Sequence, residues 1–514
     1  MDGGKPPESE KHHISSIVEL LVLGIVAALA IGIRIEYFIG FALGDDFNYF
    51  ILIKNALAGS GIQYDYLNQY AFRPLLLLSA LLSFKLLGIN EAAFILPVFL
   101  ASIGGIFVAY YLGKTLFSPC AGFLAAFILA IYPFNIYNSV TFDNDVIISF
   151  FMGLVILVFI KARESEKPLQ VILYVTGGFT IVVSYLFKMT SLSILGILGV
   201  FSLLEIFLYR KNLRQLWFYA AFAFFFLLAL CFYKAETGEF FRHFKAENIY
   251  YDHWKNLFVP ADYWNGNLNI KELLFEYPYH LFLPLTLGTV RFFEFGLYFY
   301  FFPPALVLML WKNKNRWVSL FLFWWFFSLF LFLEFMPLYW DPYYYPLPRQ
   351  ERYLEIITLP TILTIAWFLT WMARRSKITF TLLLLIIVSS SLYYTHIRCT
   401  YVKDSIADLK GVSKWLCEEK ASEVYVDYPG FGPVFFHTNN CNIAVKSLER
   451  IKTDPPSKGA YVLSGGSRMY LWERGIIRTV EEECPELPLT AVITYPESWT
   501  HNRKGRLTVY RYGG

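Results

Sequence analysis

Two pairs of acidic residues lie at the ends of apolar stretches in this chain of 514 residues. Asp45 and Asp46 directly follow one apolar stretch, and Asp143 and Asp145 precede another. Adjacent carboxylates at a membrane boundary are costly unless they are hydrated, ion-paired or bound to a cation. Three basic residues occupy comparable boundaries: Arg73, Lys188 and Arg352. Carboxylates and cations at one membrane surface suit group transfer from a lipid-linked phosphate, because cations stabilise the charge of a departing phosphate.

Each of these residues also has a purely structural explanation. An aspartate at a helix start, such as Asp45 or Asp145, can be explained as a helix cap with no part in catalysis. Lys188 can extend its amine to the lipid headgroups while its stem stays in the bilayer, and Arg352 can contact headgroups in the same way. The sequence leaves both interpretations open for each residue taken alone.

The composition excludes a water-soluble enzyme. Only 16% of the residues are charged and 56% are hydrophobic, whereas soluble domains carry about 25% charged residues. The 44 Lys and Arg against 40 Asp and Glu give a net charge of +4, which is too balanced for a nucleic-acid-binding face. The sequence has no G-x-x-x-x-G-K-[ST], H-E-x-x-H or C-x-x-C motif, so nucleotide hydrolysis, zinc proteolysis and dithiol exchange lack support.

The hydropathy pattern predicts a mainly α-helical bundle that crosses the membrane many times. A spanning helix needs about 20 apolar residues at 1.5 Å each. About eleven stretches meet that demand, near residues 15–40, 92–113, 121–138, 145–161, 170–187, 189–208, 216–233, 292–311, 317–336, 353–373 and 378–396. The apolar run Pro74–Leu87 is shorter and contains Lys85, which favours an interfacial or re-entrant helix.

Lys and Arg cluster in alternate short loops, and such clusters mark the cytoplasmic side of a membrane protein. If Pro74–Leu87 does not cross, every cluster lies inside, the N-terminus is cytoplasmic and the C-terminus is extracytoplasmic. We therefore predict a multi-pass protein of the cell membrane. Its parts are a cytoplasmic tail (1–14), a transmembrane domain (15–397) with external loops at 43–90 and 234–291, and a small external α/β domain (398–514). The acids and bases named above then all face outside.

The last part of the chain has the pattern of a folded α/β domain. An amphipathic helix is predicted over Asp404–Glu419. Short β-like runs follow at Glu423–Asp427, Ala460–Leu463, Ala491–Thr494 and Arg506–Arg511. Four cysteines near the C-terminus allow three pairings, among which the sequence does not choose: Cys399, Cys417, Cys441 and Cys484.

The order of these features resembles the GT-C superfamily of polytopic glycosyltransferases, in particular the family 39 type with protein O-mannosyltransferases and aminoarabinose lipid A transferases. Five stretches carry the resemblance, which covers roughly residues 15–375: GDDFNYFILIKNAL, the run from FRPLLLLSALLSFKLLGINEAAF to AYYLGKTLF, FDNDVIISFF, SYLFKMTSLSILGILGV and RQERYLEIITLPTI. The resemblance implies the fold of that superfamily.

The resemblance also implies roles for single residues. Asp45 matches the first acid of an Asp-Glu pair, the catalytic or acceptor-orienting carboxylate, and Asp46 replaces the glutamate. The phosphate of the lipid would bind Arg73, which replaces a lysine before proline, together with Lys188 and Arg352. Phe72 stands where some members have an acid, which weakens any metal site that uses it. Candidates for the acceptor site or a metal are Asp143, Asp145, Glu236 and His243. The long external loop that holds Glu236 and His243 adds four further candidates: Glu239, Arg242, Asp252 and His253.

The implied reaction is inverting transfer of a sugar from a polyprenyl phosphate, dolichyl or undecaprenyl, to a protein, lipid or glycan acceptor outside the cell. Asp45 would be the general base, and no cofactor is required, although Asp46 and Asp145 would be the ligands of Mg²⁺ or Mn²⁺. The W-W-D-type motif of oligosaccharyltransferases is absent from the tail, which disfavours that group. The main alternative is a secondary transporter or flippase of a lipid-linked or anionic substrate, and a membrane scaffold is a third.

Overall fold

The structure is a computed structural model that describes thirteen segments of the chain. These are residues 8–42, 45–64, 68–209, 213–249, 278, 281–287, 290–339, 345–346, 351–426, 428–452, 454–464, 488–494 and 508–512. Helices dominate them: α1 Glu8–Glu36, α2 Asp46–Leu57, α3 Pro74–Leu87, α4 Glu91–Leu116, α5 Pro119–Ala130, α6 Pro133–Ser139, α7 Asn144–Glu164, α8 Leu169–Phe187, α9 Ser193–Tyr209, α10 Leu216–Thr237, α11 Tyr298–Lys312, α12 Arg316–Phe335, α13 Thr358–Ala373, α14 Lys377–Glu418 and α15 Tyr428–His437.

Most of the predicted membrane helices are present. Within the described segments, nine helical stretches are long and apolar enough to cross a membrane, or ten if α5 and α6 count as one bent span. Nine of the eleven predicted stretches meet this criterion in the part of the chain that the structure describes, and the other two are 121–138 and 292–311. The predicted span 121–138 is broken by 56° between α5 and α6, where Pro133 begins the second helix and has no N–H for the first. The predicted span 292–311 is helical only in α11, because a turn with Gly296 at φ 62° precedes it.

Close packing holds the bundle together. An added Cβ at Gly122 of α5 would lie 2.5 Å from the carbonyl oxygen of Tyr110 in α4. Gly178 of α8 would meet the carbonyl oxygen of Phe218 in α10 at 2.4 Å. Membrane helices approach this closely only where a small residue lies at the contact, since packing rather than hydrophobicity drives their association.

The helix α3 has the bounds predicted for the short apolar run. Its 14 residues extend about 21 Å, which is less than the roughly 30 Å of a hydrocarbon core. One side packs in the bundle through Leu76, Leu77 and Ala80, while Leu78 and Leu82 are each 55% exposed. The bounds and length are as predicted, and the interfacial position of α3 stays a prediction.

The C-terminal region is α/β, as predicted. Two hairpins lie in the earlier loops, β1 Leu285–Leu287 with β2 Val290–Phe292 and β3 Pro337–Tyr339 with β4 Tyr345–Pro346. The C-terminal strands are β5 Glu423–Val426, β6 Ala444–Ser447, β7 Tyr461–Ser464, β8 Leu489–Thr494 and β9 Thr508–Tyr512. They form one sheet of order β6-β5-β7-β9-β8, in which β5 is parallel to β6 and β7 while β9 is antiparallel to β7 and β8.

A single helix joins the two regions. α14 has 42 residues, so it combines the predicted span 378–396 with the predicted amphipathic helix. The domain boundary proposed at residue 398 lies inside this helix and stays a prediction. Cys417 at its end forms a disulfide with Cys441, while Cys399 is buried and unpaired. Cys484 lies outside the described residues.

The C-terminal region packs on the segment after α1 and on the starts of α2 and α4. Phe436 of α15 stacks on Phe41 with ring centroids 4.4 Å apart and contacts Phe50 of α2 at 4.7 Å. Lys410 of α14 donates to the carbonyl of Ile39 and forms an ion pair with Glu91 at 2.8 Å. The start of α2, and with it Asp45 and Asp46, is thereby held between the bundle and the C-terminal region.

Candidate functional site

Asp45 lies at the N-terminus of α2, but its side chain does not cap that helix. One carboxylate oxygen accepts a hydrogen bond from the Tyr70 hydroxyl at 2.6 Å, and the other lies 2.7 Å from the Arg352 guanidinium. Burial raises the pKa of Asp45, but the charge of Arg352 and the Tyr70 hydrogen bond outweigh it, so that the pKa is lowered. Asp45 is therefore an ionised carboxylate, and its side chain keeps 24% of its surface exposed.

Asp46 has a different environment. Its side chain is almost fully buried, and one oxygen accepts the backbone N–H of Ala42 at 2.9 Å. Burial, helped by the negative charges of Asp45 and Asp143, raises the pKa of Asp46 to about 8. Asp46 thus connects the start of α2 to the segment after α1 as a mainly protonated acid.

Lys188 lies at the C-terminal end of α8, in extended backbone before a 3₁₀ turn. Its amine contacts both carboxylate oxygens of Asp145, at 2.6 and 2.8 Å. Both residues are buried, so Lys188 does not extend to the headgroups as the structural explanation supposed. Asp145 stands in the first turn of α7, and Asp143 caps that helix by accepting the N–H of Asp145 at 2.9 Å.

Asp143 is therefore both a helix cap and a neighbour of the charged residues. Burial, followed by the charge of Asp145, raises its pKa to about 7. The predicted cap is therefore Asp143 and not Asp145, and Asp45 does not cap its helix.

Arg73 lies between a 3₁₀ helix, Gln69–Phe72, and Pro74, which starts α3. It is buried and donates to the Tyr49 hydroxyl. Its guanidinium also lies 5.7 and 5.4 Å from the ring centroids of Tyr49 and Tyr70. Because Tyr70 also bonds Asp45, a single tyrosine joins the predicted base to a predicted phosphate ligand.

The remaining contacts join all of these residues into one group, which we call the charged cluster: Asp45, Arg73, Asp143, Asp145, Lys188 and Arg352. The ring of Tyr353 lies 4.5 Å from the Lys188 amine and 5.6 Å from the Arg352 guanidinium. Asn144 of α7 donates to Tyr49 at 3.4 Å. The structure therefore brings together acids and bases that are far apart in the sequence.

Two predicted acceptor residues lie apart from the charged cluster. Glu236 is exposed at the end of α10. His243 is buried, stacks on Tyr233 at 4.4 Å and contacts the Tyr185 hydroxyl. Burial lowers the pKa of His243 to about 4, so the ring is neutral. Glu239 forms an ion pair with Lys245, Arg242 donates to the carbonyl of Tyr64, and Asp252 and His253 lie outside the described residues.

Several residues of the site were not predicted from the sequence. Tyr49 and Tyr70 connect the charges, but nothing distinguishes them among 36 tyrosines until the fold places them, whereas Tyr353 follows Arg352 in the stretch RQERYLEIITLPTI that carries the family resemblance. Glu247, in the helical segment 242–249, was also not predicted. When the side-chain amide of Gln69 is oriented with its nitrogen toward Glu247, it donates to the two carboxylate oxygens at 3.1 and 3.3 Å. Nothing in the sequence indicated that Glu247 lies close to Arg73.

The residues proposed as metal ligands do not form a metal site as they are arranged. No group of three or more His, Cys, Asp or Glu side chains suited to a metal occurs among the described residues. Both oxygens of Asp145 contact the Lys188 amine, and Asp46 is buried with a raised pKa, whereas a metal ligand must be deprotonated. We therefore derive no step through a metal.

Comparison with known proteins now bears on the fold. The family model for oligosaccharyl transferase STT3, N-terminal, matches residues 66–311, which is just under half of the chain. The structure of ArnT from Cupriavidus metallidurans bound to undecaprenyl phosphate matches with a TM-score of 0.56 and 14% identity, over 95% of this chain and 97% of that one. This chain has the GT-C fold. The predicted resemblance to GT-C membrane glycosyltransferases is thereby confirmed at the level of fold.

Archaeal oligosaccharyltransferases have the same GT-C architecture over most of this chain. The Archaeoglobus fulgidus enzyme in complex with Zn and sulfate matches with a TM-score of 0.52 and 15% identity over 83% of this chain. AglB from the same organism, in complex with an inhibitory peptide and a dolichol-phosphate, matches with a TM-score of 0.53 and 14% identity over 85%. This chain spans 62% and 65% of the length of those two structures. The search of curated proteins found no match.

Proposed function

We propose that this chain is an inverting membrane glycosyltransferase that moves a sugar from a polyprenyl phosphate to an acceptor. The observation that carries the proposal is the Asp45–Arg352 ion pair inside the charged cluster of a GT-C fold. A general base, and cations for a leaving phosphate, thus lie within one connected set of side chains. The ArnT structure with undecaprenyl phosphate and the AglB structure with dolichol-phosphate support a polyprenyl phosphate as the leaving group.

In this proposal the acceptor hydroxyl or amine attacks the anomeric carbon while the bond from that carbon to the phosphate oxygen breaks. The acceptor's proton passes to Asp45. Because Asp45 has a lowered pKa, it is a weak base for a neutral hydroxyl. It therefore orients the acceptor first and takes the proton late, when the new bond has made that proton acidic.

The cations receive the charge that develops on the phosphate. Arg352 has five N–H donors in a fixed fork geometry, which suits the oxygens of a phosphate. Arg73 and Lys188 are buried, where low dielectric strengthens their interaction with a phosphate. Lys188 also supplies the positive charge beside Asp145 that a metal would otherwise provide. A bound Mg²⁺ or Mn²⁺, which the Zn in an archaeal structure supports, would require Lys188 to leave Asp145 and Asp46 to lose its proton.

The acceptor and the orientation belong to the same proposal. We infer an extracytoplasmic site, with the N-terminus inside and the C-terminal region outside, from the Lys and Arg of the short loops. A protein, lipid or glycan acceptor fits this location. The archaeal enzyme tethered with an acceptor peptide supports a peptide, while the near full-length match to ArnT supports no choice of acceptor by itself.

The test is release of polyprenyl phosphate by the purified protein in detergent. Undecaprenyl and dolichyl phosphate sugars are supplied separately with peptide, lipid and glycan acceptors, and the freed lipid phosphate is measured by mass spectrometry. We expect release that depends on the acceptor and inverts the anomeric centre. Movement of intact lipid-linked sugar across proteoliposomes without any release would favour a flippase and contradict the proposal.

A further inference from the structure

A buried arginine lies within the bundle and is linked to the 3₁₀ helix Glu351–Ile357 through one side chain. Arg34 of α1 has no exposed surface, and its guanidinium makes five hydrogen bonds. They go to the Ser102 and Ser139 hydroxyls (2.9 and 3.0 Å), the carbonyls of Ala30 and Ala130 (both 3.1 Å) and the side-chain oxygen of Asn135 (2.8 Å). Burying a charge is expensive unless it is well paired. The five hydrogen bonds of Arg34 therefore indicate that this buried cation has a specific structural role.

Asn135 joins Arg34 to an equally buried acid. Its amide oxygen accepts from Arg34 and from Ser102 at 2.7 Å, while its amide nitrogen donates to Glu355 at 2.6 Å. Glu355 has no exposed surface. A single side chain thus couples a buried cation to a buried carboxyl group, and loss of the Asn135–Glu355 bond would leave buried polar groups without a partner.

Glu355 lies on the same short helix as Arg352. Both belong to the 3₁₀ helix Glu351–Ile357, in which side chains three residues apart lie on the same face. Glu355 therefore anchors the turn whose other member, Arg352, holds Asp45. Three other members of the network lie close to the charged cluster in sequence: Asn135 and Ser139 belong to α6, which leads to Asp143, and Arg34 belongs to α1, which leads to Asp45.

We infer that Arg34, Asn135 and Glu355 are positioning residues that hold Arg352 against Asp45 and the leaving phosphate. This inference rests on the proposed function for its catalytic consequence. The three residues touch no substrate in it. They fix the 3₁₀ helix and the ends of α1 and α6 relative to one another, and the contact that matters is the hydrogen bond between Asn135 and Glu355.

Two variants of Glu355 separate positioning from charge. Glu355→Gln keeps an oxygen that accepts from Asn135, whereas Glu355→Met fills the same space without an acceptor. We expect Glu355→Met to lower kcat about tenfold to a hundredfold with little change in KM for the lipid donor, because misplacement of a group used in the transition state acts on kcat. Glu355→Gln should stay within about threefold of wild type.

The matched control is Glu205→Gln. Glu205 is also buried and ion-paired with an arginine, Arg163, but Arg163 lies in the last turn of α7 while Asp145 lies in its first turn. This acid therefore belongs to the opposite end of the bundle, and its replacement should leave kcat unchanged. Equal losses in Glu205→Gln and Glu355→Met would show a general effect of removing buried charge and overturn the inference.

Combination with Arg352→Ala gives the decisive readout. If Glu355 acts through Arg352, Glu355→Met has no further effect on kcat once Arg352 is alanine, since residues that act as a unit are not additive. A loss of structure alone would lower kcat by the same factor in both backgrounds. That outcome would overturn the inference.

Amide hydrogen exchange separates this inference from the proposed function. Exchange of residues 351–357 should be faster in Glu355→Met than in wild type and in Glu205→Gln, whether or not a sugar is transferred. Faster exchange in a protein that transfers no sugar would contradict the proposed function alone. Unchanged exchange in Glu355→Met would overturn the positioning role.

Discussion

Asp45 and Asp46 are neighbours in the chain but have opposite acid–base behaviour. Asp45 is ionised because Arg352 and Tyr70 contact it, and a quarter of its side chain is accessible. Asp46 is buried against the backbone of Ala42 with a raised pKa. At the scale of residues, this difference supports Asp45 as the proposed base and gives Asp46 a part in the shape of the loop, although the sequence suggested both as catalytic.

The first prediction concerns Asp46 and pH. Its folded-state pKa of about 8 lies far above the usual aspartate value of about 3.9, so folding favours the protonated form. Its contribution to stability is full below pH 4 and is lost as pH rises through 8. Thermal unfolding in detergent should show a steeper fall in Tm between pH 5 and pH 9 for wild type than for Asp46→Asn. Parallel curves for the two proteins would contradict the buried, protonated state.

The second prediction separates folding from function in the Lys188–Asp145 pair. Lys188→Ala leaves the buried Asp145 carboxylate without its partner, which should destabilise the protein by about 3–5 kcal/mol. Adding Asp145→Asn removes the uncompensated charge and should restore most of the Tm, but sugar transfer should stay below about 1% of wild type. Transfer at the wild-type rate by the stable double variant would exclude Lys188 as a phosphate ligand.

At the residue scale, the charges were predictable and their connections were not. Few charges occur in this chain, so Asp45, Lys188 and Arg352 were visible as exceptions at apolar boundaries. Tyr49 and Tyr70 were hidden because aromatic residues are common here and become important only when the fold places them beside a charge.

At the scale of elements, α2 links the site to the C-terminal region. It begins at Asp46, and its other side packs against Phe435 and Phe436 of α15. Aromatic residues dominate this contact because edge-to-face and stacked rings fill space with defined geometry. The position of Asp45 therefore depends on a helix almost 400 residues away in the chain.

The third prediction tests this contact. Phe436 is buried among Phe41, Phe50 and Phe94, so Phe436→Ala should cost about 3–5 kcal/mol and lower kcat, because α2 is free to shift. The control is Val509→Ala, which opens a cavity in the sheet of the same region. It should lower Tm in thermal unfolding without changing kcat. Equal activity of the two variants would contradict the coupling of α15 to the site.

Element types could be predicted better than element ends. Long apolar runs predict helices because a bilayer leaves the backbone few alternatives, and the four predicted β-runs correspond to β5, β7, β8 and β9. The break between α5 and α6, the late start of α11 and the continuity of α14 depend on local proline, glycine and tertiary packing. The strand β6 was missed because it is short and mainly exposed or half-buried.

At the scale of the whole molecule, the C-terminal α/β region packs beside the start of α2, where Asp45 of the charged cluster lies. The disulfide between Cys417 and Cys441 closes the end of α14 onto the turn after α15. Sequence alone could not choose this pairing, because it depends on how the tail folds back. The fold class followed from composition and hydropathy, while the packing of the C-terminal region against the bundle could be seen only in the folded structure.

The fourth prediction tests the orientation of the protein in the membrane, and with it whether the short helix α11 crosses. Lys314 is exposed between α11 and α12, and Lys458 is exposed in the C-terminal region. In a background without other reactive cysteines, a membrane-impermeant maleimide should label Lys458→Cys in intact cells. It should label Lys314→Cys only after permeabilisation. Labelling of both positions in intact cells would place the loop after α11 outside and contradict the proposed topology.

The central claim is that Asp45 performs sugar transfer from a polyprenyl phosphate. The direct measurement is a single-turnover assay of wild type, Asp45→Asn and the exposed-residue control Glu236→Gln, with the acceptor that supports release of polyprenyl phosphate. We expect Asp45→Asn to bind undecaprenyl phosphate and keep the wild-type Tm within a few degrees, but to transfer sugar at least about a thousandfold more slowly. Glu236→Gln should match wild type. Transfer by Asp45→Asn at a rate close to that of wild type would contradict the account.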